Sequence, residues 1–501
     1  MASSLTRDPA GSTAAGLEKT FLGHPRGLAN LFMTEMWERY SFYGMRALLV
    51  LYLSASVAKG GLGFDTATAV AIYSVYNAMV YLLALPGGWF GDRVWGARKT
   101  VAISGTVIMT GHFLLALPTE ISFFIGLAFI AAGSGLLKAN ISTMVGHLYR
   151  DKNDPRRDGG FTIFYMGINL GAFVAPLTIG YVGQKINWHY GFAMAGIGMA
   201  LGLAFYFLGF RNLAPESNQV PAPLSDTERA GIIKKALIWL AVAAVAYGIA
   251  GLAGKLTIDW VLWPLTILGL VLPAWYLVRI KRDTDLDQVE RSRMSAYVWF
   301  FVAAAVFWGI YDQTGSTLSL FAEHNTAGSL FGFEFPASWF QSLNPLYVMA
   351  LAPVFAWLWV ALARRGKEPS TLVKFTQGLV LIGASFFVMM LAQAASAGGV
   401  MVTPLWLCSV YLIQTVGELT LSPVGLSLTT KLAPQKYASQ MMGVWFLAVT
   451  AGDSVIALLQ LMGAPTDTTW WFASQGALAV LAGVAIFMYR RKVQPLMGGV
   501  H

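Results

Sequence analysis

Long apolar stretches alternate with short polar links along almost the whole chain. A helix that crosses the ~30 Å hydrocarbon core of a bilayer needs roughly 20 apolar residues. We identify fourteen stretches of this kind, at positions 28–55, 67–91, 99–118, 121–148, 160–183, 189–210, 230–253, 259–280, 294–322, 343–363, 371–395, 402–431, 439–462 and 470–490. The pattern therefore predicts an all-α membrane protein with fourteen transmembrane helices.

The composition agrees with this prediction and argues against several functions. Hydrophobic residues make up 56% of the chain and charged residues only 12%, whereas soluble domains carry about 25% charged residues. Cys408 is the single cysteine, and the six histidines lack metal-ligand spacing. There is no phosphate-binding GxxxxGK[ST] loop and no nucleophile motif of the GxSxG type. We therefore expect no enzyme activity and no metal or other cofactor.

Lysine and arginine are distributed unequally between alternate links. The basic links are 93–99, 150–157, 279–293, 364–367 and 490–492. The links on the other side contain only Lys59, Lys185 and Lys255. Because positive charge marks the cytoplasmic side of membrane proteins, we expect both termini in the cytoplasm and the chain in the bacterial inner membrane. Topology then explains the net charge of +9 better than binding to nucleic acid does.

The stretches divide into six, a pair and six. The expected organisation is a cytoplasmic tail at 1–26, a six-helix bundle at 27–211, a linker with two extra transmembrane helices at 212–290, a second six-helix bundle at 291–492 and a cytoplasmic tail at 493–501. Two pseudo-symmetric halves are typical of secondary transporters. The central pair has almost no ionisable residue at mid-depth, which favours a peripheral, lipid-facing hairpin.

Several polar residues interrupt the first stretch. They are Glu35, Glu38, Arg39, Tyr43 and Arg46. At about 100° per residue they fall within one arc of about 140° on a helix. An ionisable residue at the bilayer centre costs about 2.5–3.5 kcal/mol on insertion scales. This polar face must therefore line a cavity or contact partners on other helices.

Further ionisable residues occur at mid-depth in other stretches, namely Lys138, Asp312 and Glu418, the last with Ser422 one turn on. Fixed ion pairs that only hold helices together are one interpretation. Such pairs stabilise poorly because desolvation can exceed the Coulomb gain. A set that exchanges partners is the better interpretation, because a carboxylate that loses its cation in a dry site takes up a proton.

Short motifs resemble one family over nearly the whole chain. The segment 35–44 resembles the ExxERFxYYG signature of the proton-coupled oligopeptide transporter family, within the major facilitator superfamily. The segments 133–142, 164–171, 307–313, 344–345 and 417–425 are similar to further motifs of that family, and 88–99 is similar to a loop of the superfamily. The chain departs from the motifs at Tyr40, Phe42 and Ala139.

The resemblance implies a major facilitator fold and proton-coupled symport of di- and tripeptides into the cell by alternating access. Glu35 and Glu38 are then the expected proton carriers, with Arg39 or Lys138 as exchangeable partners. The resemblance also implies that Arg46 and Asp312 form a gate on the extracellular side.

A short peptide is a zwitterion, so its site needs fixed charges of both signs. Arg39 and Lys138 are expected to bind the carboxylate, and Glu418 the amino terminus. The other expected contacts are Asn169 and Asn344 to the peptide backbone, hydroxyls of Tyr43, Tyr81 and Ser422, and apolar walls from Trp308 and Trp445. Plain helix packing is the alternative for the aromatic residues.

Two alternatives to peptide transport stay open. The first is a proton-coupled carrier of the same family for another small solute, such as nitrate, a peptide-like metabolite or a drug. The second is a membrane-embedded enzyme or receptor, which no motif supports. The expected partners are the peptide, protons and lipid, with the chain a monomer as is usual in the superfamily.

Overall fold

The computed structural model describes residues 20–149 and 154–499, and these residues are almost entirely helical. The helices are α1 (Gly27–Ser54), α2 (Thr66–Leu82), α3 (Ala84–Phe90), α4 (Gly96–Leu115), α5 (Glu120–His147), α6 (Arg156–Ala175), α7 (Trp188–Leu208), α8 (Asp226–Leu252), α9 (Asp259–Lys281), α10 (Gln288–Tyr311), α11 (Thr317–His324), α12 (Leu343–Arg364), α13 (Thr371–Ala395), α14 (Leu405–Leu432), α15 (Ala438–Leu461) and α16 (Thr469–Leu496). Two antiparallel pairs of two-residue strands lie in the links: β1 (Thr20–Phe21) with β2 (His24–Pro25), and β3 (Ser329–Leu330) with β4 (Phe333–Glu334).

Each apolar stretch coincides with one helix or with adjoining helices, and three stretches are interrupted. The second stretch is interrupted at Leu83, between α2 and α3. Pro86 follows there and has no N–H to donate to Leu82, which weakens the helix at this turn. In the fifth stretch α6 ends at Ala175, and the chain continues through π-helical turns at Pro176–Gly180 and Val182–Ile186. In the ninth stretch, α10 ends at Tyr311. The chain then forms a 3₁₀ turn at Asp312–Gly315 before α11 begins.

Twelve segments of the described chain are long and apolar enough to cross a membrane. One of them, Thr66–Leu115, contains α2, α3 and α4. The helix α1 is not among them, and its 28 residues include four charged ones. The composition and length of the helices thus describe a multi-pass membrane protein.

The predicted domain limits differ slightly from the helix ends. Helix α10 begins at Gln288, inside the region expected as linker, and α16 continues to Leu496, into the region expected as a tail. The expected N-terminal tail falls mostly on residues 1–19, which lie outside the described residues.

The helices pack as two groups that meet along a few helix pairs. Helices α1 to α7 contact one another, and α10 to α16 form a second group. The groups meet where α2 contacts α15, where α6 contacts α12, and where α1 contacts α11. We call α1–α7 the first half and α10–α16 the second half.

Helices α8 and α9 connect the two halves. Nearly all of α8 is exposed, whereas α9 packs against α15 and α2. Arg93 of the first half forms an ion pair with Glu228 of α8 at 3.0 Å, and Lys436 of the second half contacts Asp283 at 2.8 Å and Asp285 at 2.7 Å beyond α9. The Lys436 ammonium and a neighbouring hydroxyl hold the pKa of Asp283 below its usual range. Each end of the hairpin is thus attached to a different half.

Glycines allow α10 and α15 to pack closely within the second half. A Cβ at Gly452 would lie 2.3 Å from the carbonyl oxygen of Ala305, and one at Gly309 would lie 2.9 Å from the carbonyl oxygen of Gly452. Backbone atoms cannot rotate out of the way, so a side chain here forces the helices apart. Small residues at such contacts are typical of membrane helices.

We therefore expect Gly452→Ala to destabilise the protein by about 1–3 kcal/mol through overpacking. The matched control is Gly231→Ala on α8, where an added Cβ meets nothing within 4 Å and alanine favours the helix by about 1 kcal/mol. Thermal unfolding of the purified proteins should show a lower midpoint for the first variant alone. Equal midpoints would contradict the close packing described here.

Candidate functional site

The acidic and basic residues of α1 form a buried cluster. Arg39 Nε lies 2.9 Å from Glu35 Oε1 and 2.6 Å from Glu38 Oε2. Glu35, Glu38 and Arg39 are 3%, 0% and 3% exposed. Helix α6 lies directly beside them, because a Cβ at Gly171 would be 2.3 Å from the carbonyl oxygen of Met36. The predicted polar face therefore points into the protein, and Arg39 is shared by two carboxylates.

Lys138 reaches the same region from α5. Its Nζ lies 3.7 Å from the ring centroid of Tyr81, a cation–π contact. The side chain is half-buried. Within the described part of the chain it has no ion-pair partner. Lys138 is thus a cation without a bound carboxylate.

Glu418 lies on α14, in the second half. Its Oε2 accepts hydrogen bonds from the hydroxyl of Tyr311 at 2.8 Å and from Nδ2 of Asn344 at 2.9 Å. Asn344 also donates to the hydroxyl of Thr415 at 3.1 Å. No lysine or arginine of residues 20–149 and 154–499 pairs with Glu418. Its half-buried carboxylate is therefore held in position by neutral donors.

The other predicted contact residues divide into two groups. Tyr43, Trp308 and Ser422 are half-buried, as Tyr81 and Asn344 are. In contrast, Asn169 is 7% exposed, and its Nδ2 donates to the carbonyl of Tyr165 on its own helix.

Trp445 is more deeply buried than Tyr43, Trp308 and Ser422. It is 2% exposed and packs against Gly425 and Phe375 in the core of the second half. In this conformation its indole packs within that core, as expected if the residue serves helix packing rather than contact with the substrate.

Arg46 and Asp312 join the two halves. Arg46 Nη2 lies 2.8 Å from Asp312 Oδ1, and Arg46 Nε also donates to the hydroxyl of Tyr73. Arg46 is 6% exposed and Asp312 3% exposed. The two residues thus pair as expected, whereas their role as a gate stays a prediction.

Further hydrogen bonds join the two halves at the same end of the molecule, which is the end where the C-terminus of α1 lies. Trp339 Nε1 donates to the carbonyl of Leu177 at 3.1 Å, Ser342 Oγ donates to the carbonyl of Phe173 at 2.7 Å, and Gln184 Nε2 donates to Glu323 Oε2 at 2.9 Å. Each bond connects the first half to the second. The halves are therefore closed against each other at this end.

Sequence reasoning missed two residues beside this pair. Asp453, on α15, is 2% exposed, and its Oδ2 accepts a hydrogen bond of 2.7 Å from Nδ2 of Asn77 on α2. Asp453 could have been found, because it is an ionisable residue inside an apolar stretch, as Asp312 is. Asn77 carries no charge, and no sequence pattern connects it to a residue 376 positions away.

The site therefore contains cations in the first half and carboxyls in both halves, so charges of opposite sign face each other across the contact between the halves. No group of three or more histidine, cysteine, aspartate or glutamate side chains that could hold a metal occurs among the described residues. The arrangement suits binding of a small charged solute and exchange of protons between carboxyls.

Comparisons with known proteins agree on one family. Residues 98–470 match the POT family. The chain is 44% identical to a Bacillus subtilis protein named "Uncharacterized transporter YclF", over 96% of this chain and 97% of that one. It is 41% identical to a Lactococcus lactis protein named "Di-/tripeptide transporter", over 96% and 98%. A solved structure of "peptide transporter POT in complex with sulfate" is similar with a TM-score of 0.92 at 42% identity, covering 96% of this chain and 98% of that one.

Removing one partner of the buried pair between the halves should lower stability far more than removing one partner of an exposed pair. Removing one partner of a buried ion pair costs about 3–5 kcal/mol, because the other charge stays buried. We therefore expect Arg46→Gln to lower the midpoint of thermal unfolding strongly. The control Arg93→Gln breaks an ion pair whose side chains are 30% and 51% exposed and should cost about 0–1 kcal/mol. Similar losses in both variants would contradict this view of the Arg46 pair.

Proposed function

The chain belongs to the POT family, and we propose that it is a symporter that carries di- and tripeptides into the cell together with protons. Relatives at 41% and 39% identity bear the names of a di-/tripeptide transporter and a peptide transporter. The predicted family resemblance is confirmed, and the protein is an all-α transporter with the major facilitator fold. Members of this family are transporters rather than enzymes.

One observation supports a peptide substrate above all. Lys138 of the first half and Glu418 of the second half are half-buried charges of opposite sign, and each is without an ion-pair partner in the described chain. A zwitterion satisfies both charges when its carboxylate meets Lys138 and its amino terminus meets Glu418. A simple anion would be repelled by Glu418, which argues against nitrate. A bound peptide would also connect the two halves and favour closure around it.

The α1 cluster supports coupling to protons. Arg39 forms ion pairs with both Glu35 and Glu38, so one cation is shared between two buried carboxyls. A proton on either carboxyl weakens its hold on Arg39. Arg39 can then join Lys138 in binding the peptide carboxylate, so that proton and substrate bind together. The energy source is the proton gradient, with no cofactor.

The proposed topology has fourteen crossings. The twelve apolar segments become fourteen when α4 is counted separately from α2 and α3, and when α1 is added. α1 can cross despite its charges because they are buried against other helices. Helices α8 and α9 are then the extra hairpin between two six-helix bundles, 27–211 and 291–492.

Orientation follows from the basic links. With both termini in the cytoplasm of a bacterial inner membrane, the end closed by Arg46 and Asp312 faces outwards. The structure then corresponds to a carrier shut on the outside, with Arg46 and Asp312 as its gate. We propose that the chain works in this way as a monomer.

The direct test is uptake of labelled dialanine into proteoliposomes with and without an inward acid gradient. We expect accumulation only with the gradient. N-acetyl-dialanine lacks the cationic amino terminus, and a charged hydrogen bond is worth about 1.5–3 kcal/mol. The wild type should therefore prefer dialanine by about tenfold to a hundredfold, and Glu418→Gln should lose most of this preference. Gradient-independent uptake, or an unchanged preference in the variant, would contradict the proposal.

Glu38 provides a test of the coupling step. We expect Glu38→Gln to abolish proton-driven uptake, because the amide cannot release a proton. Counterflow of labelled dialanine, which needs no net proton movement, should continue in this variant. Glu334→Gln, at an exposed position of β4, serves as the control and should retain both activities. Intact proton-driven uptake in Glu38→Gln would show that another group carries the proton.

A further inference from the structure

The contact between α2 and α15, which we call the seam, contains more acidic than basic groups. Among residues 20–149 and 154–499, Arg46 is the one guanidinium that faces Asp453, whereas Asp312 and Asp453 are both carboxyls. All three side chains are at most 6% exposed. With both carboxyls ionised, the closed seam would carry one uncompensated negative charge away from water. Burying such a charge is very unfavourable.

Asp453 is the carboxyl that lacks a cation. Asp312 has its ion pair with Arg46 at 2.8 Å, whereas the hydrogen-bond donor to Asp453 is the neutral amide of Asn77 at 2.7 Å. No lysine or arginine of the described chain forms an ion pair with Asp453. The missing positive charge is therefore localised at one residue.

A further cation of the described chain, Lys138 of α5, lies 3.7 Å from the ring centroid of Tyr81 and faces Asp312, whereas Arg46 is the one described cation that faces Asp453. The charged and titratable groups that face it are Tyr73 and Tyr81 of α2, Arg46 of α1 and Asp312 after α10. Helix α9, which also packs on α15, has no charged residue between Asp259 and Arg279. Neutrality at Asp453 itself thus needs one additional proton.

We propose that Asp453, held by Asn77 at the seam, is a proton-binding site that is occupied while the two halves are closed at this end. This site is separate from the carboxyls of α1. Its role in transport depends on the proposed proton-coupled function. Asn77 contacts one oxygen of Asp453, which leaves the other oxygen to carry the proton. Neither residue is among those that we expected from the sequence to serve transport.

A proton at this position has a defined place in a transport cycle. When the outer end is open, Asp453 can take a proton from the acidic exterior, and the neutral seam can then close. Loss of that proton to the inside leaves an uncompensated carboxylate in the closed seam. This charge favours separation of α2 from α15, which returns the empty carrier to its outward-open form.

The test follows closure of the outer end as a function of pH. Val57 and Met462 lie at this end in different halves and are 74% and 71% exposed. Spin labels on Val57→Cys and Met462→Cys, in a Cys408→Ala background, report their separation in lipid nanodiscs. For one linked proton, the ratio of closed to open molecules should fall by about tenfold per pH unit above the titration of the site.

Asp453→Asn keeps the shape and can still accept from Asn77 but carries no charge. We expect it to stay closed at every pH, with the tenfold dependence lost. The matched control is Thr450→Val, which removes another hydrogen bond of the seam, from Thr450 Oγ1 to the carbonyl of Ala78 at 3.1 Å. This control should keep the wild-type pH dependence. An unchanged pH dependence in Asp453→Asn would overturn the proposal.

The same samples separate this inference from the proposed function. Dialanine counterflow tests whether the protein carries peptides and does not depend on the spin-label distances. Absence of counterflow with a normal pH response would refute peptide transport and leave the proton site in place. Normal counterflow with an Asp453→Asn response like that of the wild type would refute the proton site alone.

Discussion

Ionisable groups at mid-depth are tolerated in a membrane only when their charges are balanced, and the protein leaves this balance incomplete. Its cations there are Arg39, Arg46 and Lys138, and its carboxyls are Glu35, Glu38, Asp312, Glu418 and Asp453. The carboxyls exceed the cations by two. Desolvation makes each excess charge unfavourable, so the closed molecule needs two further positive charges.

Two carboxyls, Glu418 and Asp453, have no ion-pair partner, and they lie in surroundings that suit different partners. Glu418 is half-buried beside the neutral donors Tyr311 and Asn344, so a solute with an ammonium group can reach it. Asp453 of α15 is buried against α2, where there is room for a proton but not for a larger cation. A zwitterionic peptide brings an ammonium for Glu418 and a carboxylate for Lys138, so it leaves the excess of two negative charges unchanged. The loaded carrier is therefore neutral only when it also binds protons, which is a physical reason to move peptide and protons together.

The positions of the helices and the buried polar face of α1 were predicted from the sequence because both follow from the spacing of apolar and polar residues along the chain. The apolar stretches coincide with helices within a few residues, and the polar arc of α1 is buried, as the cost of exposing charge to lipid requires. Other features depend on which helices become neighbours. The contact between Asn77 and Asp453 joins residues 376 positions apart. The position of Trp445 against Gly425 depends on which face of α15 turns towards α14.

Asp453 shows the difference between these two kinds of information. Its need for a partner could be predicted from the sequence, since burying an aspartate inside an apolar stretch costs free energy whichever helices surround it. Its lack of a cation could not, because Arg46 could have paired with either Asp312 or Asp453 until the fold brought α1 closer to one of them. Sequence therefore identifies the charges that a membrane transporter must balance, and only the packing of the halves decides which of them stay unpaired and so depend on a proton or a substrate.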